Sequence, residues 1–112
     1  MLFDEKGTGR AVLAATNDKG PALDLYDERR TLRASLEAFR DGPRLALLDE
    51  KGKPRASLAA FEDESGLALL DEKETIRALF GLENPGTGAT EATGPSSITL
   101  FDKGGKTIWR AP

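Results

Sequence analysis

Apolar residues along this chain fall in short compact runs separated by turn-formers, with no helical stripe. Leu45 to Leu48 is one such run, Glu50-Lys51-Gly52 breaks it, and Lys53 to Phe61 returns with Ala and Leu. Similar runs recur throughout, and a turn signal appears about every ten to twelve residues. Segments such as ASLEAF and ASLAAF would tolerate a helix on propensity alone, but helices that short are marginal in water. The pattern therefore predicts short antiparallel strands joined by tight turns.

The runs are copies of one unit. Aligning on an aspartate that follows an apolar residue selects Asp4, Asp27, Asp49, Asp71 and Asp102, at intervals of 23, 22, 22 and 31 residues. An arginine follows six positions later in the first four units: Arg10, Arg33, Arg55 and Arg77. The predicted fold is all-β: five consecutive β-hairpins, about ten strands, in one antiparallel meander filling a single domain over 1–112. The units span about 1–21, 22–43, 44–66, 67–84 and 98–112. Residues 85–97, polar and rich in Gly and Pro, are expected to form a flexible surface loop that accounts for the longer last interval.

Turn chemistry supports this division. A three-residue hairpin connection places a residue of positive φ just before the returning strand, where glycine is cheapest. Gly7 and Gly52 fit that place, whereas Arg30 and Glu74 occupy it in the second and fourth units. The five repeated aspartates are expected to cap the turns by accepting backbone N–H groups.

Pairing Asp49 with Lys53 and counting outward puts Ala46, Leu48, Pro54, Ala56, Leu58 and Ala60 on one wholly apolar face. Leu45 and Leu47 fall on the opposite, mixed face, so the first strand of each unit is apolar on both sides. An open, solvated sheet would not need them there. The sheet is therefore expected to close or fold over, as a barrel, a propeller-like ring or a sandwich, or to be covered by a second subunit. Trp109, the only tryptophan, aligns with Ala56 and is expected inward as a core residue or terminal plug.

Composition narrows function mainly by exclusion. The 112 residues include no His and no Cys, which removes imidazole bases, thiol nucleophiles, disulfides and zinc sites built on either residue. The net charge of -3 carries no basic field of the kind nucleic-acid binders show. No segment is long and apolar enough for a membrane span. The charged residues belong almost entirely to repeated sets, whereas catalytic residues should be singular. The chain is thus expected to be no enzyme, with no cofactor and no metal. The sequence carries no specific biochemical activity. It favours a non-catalytic structural or protein-binding repeat module, with a homo-oligomer or another protein as partner. The alternative is a carbohydrate or small-anion binder that uses Arg10, Arg33, Arg55 and Arg77.

The repeated LxLxDExGKxRAxL block, clearest from Leu45 to Leu58, resembles bacterial proteins of unassigned function built from tandem β-hairpins. The final hairpin, Ser97 to Pro112 with Trp109-Arg110-Ala111-Pro112, resembles the way such chains often finish. The resemblance covers about the whole chain and implies no catalytic assignment. Related chains can carry a preceding membrane or coiled-coil segment. As given, the chain is expected to be soluble, with envelope attachment following only if such a segment is missing.

Overall fold

The computed structural model describes residues 1–60, 65–81 and 97–111. Ten strands follow in order: β1 (Leu2–Phe3), β2 (Gly9–Thr16), β3 (Gly20–Tyr26), β4 (Leu32–Phe39), β5 (Gly42–Leu48), β6 (Pro54–Ala60), β7 (Ser65–Leu70), β8 (Ile76–Gly81), β9 (Ser97–Phe101) and β10 (Thr107–Ala111). All belong to one antiparallel sheet whose spatial order is the chain order. The chain is an all-β meander. The loop expected over 85–97 lies outside the described residues apart from Ser97, which opens β9. Phe61 and the acidic run 62–64 also lie outside them.

The expected closure does not occur among the described residues. Among the described residues every strand contacts only its sequence neighbours, and β1 and β10 do not meet. The molecule is a plate of 49 × 30 × 17 Å with a radius of gyration of 16.2 Å. A compact chain of 100 residues would measure about 13 Å. Among the described residues neither a barrel, a ring nor a second layer forms, and no large side chain is fully buried.

The faces also differ from the counted ones, because every hairpin carries a bulge. Leu48 pairs with Pro54 as expected, but Leu47 pairs with Ala56, which leaves Arg55 as an extra residue. The same shift leaves Arg10, Arg33, Arg77 and Ile108 unpaired in the other hairpins. One inserted residue reverses the parity of everything beyond it. Ala56, Leu58 and Ala60 therefore share a face with Leu45 and Leu47, while Ala46, Leu48 and Pro54 share the other with Ser57. Pro54, which has no N–H to donate, sits at the bulge.

Two rows of cross-strand neighbours follow on the first face. One runs Leu13, Leu23, Leu36, Leu45, Leu58, Leu67, Phe80, Ile98 across eight strands. The other alternates large and small: Leu25, Ala34, Leu47, Ala56, Leu69, Ala78, then Leu100 and Trp109. Directly opposed apolar pairs of this kind are what stabilise a single sheet. The opposite face carries small and polar residues in its middle row, among them Asp24, Ser35, Ser57 and Thr99. Ser35, Leu79 and Thr99 are buried there, and the Ser35 hydroxyl donates to Asp24 Oδ1 at 2.6 Å.

β7 and β8 approach closely at Gly66, which pairs with Gly81. A Cβ on Gly81 would stand 2.5 Å from the Ser65 carbonyl oxygen and 2.9 Å from Gly66 Cα. Both obstacles are backbone, so the strands would have to part. Gly81→Ala is expected to cost about 1–3 kcal/mol, read as a lower urea midpoint at unchanged slope. An unchanged midpoint would show that the approach is looser than described.

Candidate functional site

The five turns are near copies, and their geometry follows from the aspartate. In the β5–β6 turn the Asp49 N–H donates to the Lys53 carbonyl at 2.8 Å, and the Gly52 N–H donates to the Asp49 carbonyl at 3.0 Å. Asp49 Oδ1 accepts from the N–H groups of Lys51 at 2.9 Å and Lys53 at 3.0 Å. Asp4, Asp27, Asp71 and Asp102 hold their turns through the same pair of backbone donors. These hydrogen bonds favour the ionised carboxylate. All five aspartates are held below the ordinary carboxylate value, first by the N–H four residues on, against a smaller opposing effect of desolvation.

The fourth turn residue has positive φ throughout: Gly7, Gly52 and Gly105 in three units, but Arg30 at 64° and Glu74 at 65° in the others. A side chain in this region costs about 1 kcal/mol that glycine avoids. Arg30→Gly and Glu74→Gly are each expected to raise stability by about that amount, visible as higher urea midpoints. A fall in both would mean that the side chains make contacts outweighing the strain.

The four repeated arginines join each hairpin to the next. The ladder between β4 and β5 ends at Ala34 and Leu47, so the following carbonyl, on Leu48, has no strand partner on that side. Arg33 Nε donates to it at 3.0 Å. Arg10 donates likewise to Tyr26 O at 3.0 Å, Arg55 to Leu70 O at 2.9 Å and Arg77 to Phe101 O at 2.9 Å. Each guanidinium also faces the aspartate of its own turn, at 3.3 Å for Arg10, 3.4 Å for Arg33, 3.8 Å for Arg55 and 3.5 Å for Arg77. The bulge aims the arginine across the sheet rather than along its own strand. Ile108 takes the arginine place on β10, beyond which the sheet has no described strand.

The arginines are therefore brought to one edge of the sheet but not into an open cationic row. The hollow beside the third and fourth turns, about 520 Å³, is lined by Arg33, Lys51, Lys53, Arg55 and Lys73 together with Asp49, Glu50 and Glu72. Five cations outnumber three carboxylates there, but Arg33 and Arg55 already face Asp27 and Asp49, and an anion entering would also meet the carboxylates. Among the described residues no group of three or more carboxylates is placed to hold a metal ion, and no helix is long and apolar enough to cross a membrane.

Trp109, expected as an inward plug, is 51% exposed. It does share a row with Ala56, but the bulge turns that row onto the open face. This face is the feature that counting missed. Leu13 is 72% exposed, Leu36 and Leu58 50% each, and no charged residue interrupts the two rows. No family model matches the chain, and no curated protein is similar to it.

Proposed function

We propose that this chain is a non-catalytic binding module of the tandem β-hairpin kind, which works by presenting the apolar face of its open sheet to another protein surface. The observation that carries the reading is the face itself: two adjacent rows of apolar side chains, uninterrupted by charge and uncovered by any other described strand. Sheets bury such faces against another layer, and contiguous exposed apolar patches beyond a few hundred Å² mark interaction sites. The repeated turns and arginine bridges serve as the frame that keeps the face flat and in register. In this reading the chain performs no chemistry of its own and lies on the partner's surface as a rigid platform.

Hydroxyl-radical footprinting in native cell extract tests this without naming the partner. Leu36, Leu45 and Leu58 are expected to react several-fold more slowly than the same residues in short unstructured peptides. Reaction at the peptide rate would mean that the face stays open to water, and the reading would fall.

A further inference from the structure

Resting on the reading that the apolar face is a protein-binding surface, we infer that its occupant is a second copy of this chain, packed face to face as a two-layer β-sandwich. The argument is first one of chemistry. A face without charges selects no charged partner and needs an equally uncharged apolar surface opposite. The surface of that description on this molecule is the same face on another copy. Among the described residues nothing in the chain covers it, and residues 82–96 contain no large apolar residue besides Leu82.

Size and relief agree. A stable interface needs roughly 800 Å² from each partner, and a plate measuring 49 × 30 Å in its plane has room for that. Sheets pack face to face at about 10 Å with interdigitating side chains. In the second row large residues stand on the first strand and alanines on the next in the three middle hairpins, Leu25 and Ala34, Leu47 and Ala56, Leu69 and Ala78, before Trp109 breaks the alternation on β10. Ridges therefore alternate with troughs at roughly 10 Å, twice the strand spacing. A two-fold axis lying between the two sheets and parallel to the strands can set the ridges of one copy's second row into the troughs of the other, the self-complementary contact expected of a symmetric dimer. An open groove of 580 Å³ between Leu36, Leu45, Leu58, Leu67 and Phe80, with Pro43 and the Arg44 side chain also lining it, offers one seat.

Edge-to-edge growth is the less favoured way to associate. The bridge that joins each hairpin to the next needs an arginine on the outgoing strand, and β10 carries Ile108 there.

Sedimentation velocity of the purified full chain over two decades of micromolar concentration tests the inference. The expected particle is twice the 12.0 kDa of one chain, with blue-shifted Trp109 emission. Leu47→Glu combined with Leu58→Glu should weaken association more than about a hundredfold and shift the emission red, while Glu50→Lys in a turn changes neither. Leu36→Lys on its own provides a second disrupting variant should the double one misfold by circular dichroism. A particle of one chain at every concentration overturns the inference. Footprinting in extract then separates the two ideas: a protected face keeps the binding reading with a different protein as occupant, and an unprotected face ends both. Larger assemblies that survive Leu47→Glu with Leu58→Glu also overturn it, because they would be held by strand edges.

Discussion

Replacing Arg55 and Arg77 together by alanine is expected to lower the unfolding free energy by about 3 kcal/mol, without changing any affinity for small anions. Each arginine gives a charge-assisted hydrogen bond to a carbonyl that the ladder leaves behind, Leu70 O and Phe101 O respectively. Such bonds contribute about 1.5–3 kcal/mol each. The lower half of that range applies here, because the side chains are 45% and 42% exposed and water can reach the freed carbonyls. The ion pairs with Asp49 and Asp71 add at most about 1 kcal/mol. The two bridges serve different strand junctions and share no partner, so their costs should add. Lysine should restore little, since a single ammonium cannot span carbonyl and carboxylate as a planar fork does. Urea unfolding measures the loss. Calorimetry with phosphate, sulfate and acidic oligosaccharides checks the other half of the prediction. Saturable binding by the parent chain that vanishes in the double variant would restore the arginines to a ligand-binding role.

The arginine repeat also shows where reading the sequence stopped. The period of about 22 residues and the turn residues are local signals, and local hydrogen bonds realise them: Asp49, Lys51, Gly52 and Lys53 meet within one turn. The arginine at every sixth place is equally regular, yet it marks an unpaired residue in the ladder, and periodicity alone does not distinguish a paired residue from a bulged one. Counting alternation through Arg55 therefore put Ala56 and Leu58 on the wrong face and sent Trp109 inward. Closure was illegible for a different reason. Leu45 and Leu47 do need cover, and burial by the same chain or by another copy asks for the same residues. Only the course of β10, which never returns to β1, distinguishes the two.

Acid should unfold this protein through its turns. Asp4, Asp27, Asp49, Asp71 and Asp102 are all held below their usual value of 3.8 by backbone N–H donors, chiefly the one four residues on. A carboxyl that is more acidic in the folded chain than in the unfolded one favours folding when ionised. That contribution is complete well above the unfolded value. It shrinks as pH falls below about 3.8 and is gone once pH lies beneath the lowered native values. The unfolded chain binds more protons across that interval, so stability must rise with pH through it. Melting temperature should therefore be steady from neutral pH to about 5, then fall steeply between about 4 and 2. Histidine contributes nothing to the profile, because the chain has none. Asp49→Asn with Asp71→Asn separates these turns from the other carboxylates. An asparagine Oδ1 can still accept the two backbone N–H groups but carries no charge and draws no attraction from Arg55 or Arg77. The double variant should start less stable at pH 7 and lose less on acidification, so that its melting curve converges on the parent's near pH 2. Parallel curves over the whole range would mean that these aspartates titrate alike in the folded and unfolded chains, and the turns would no longer account for acid sensitivity.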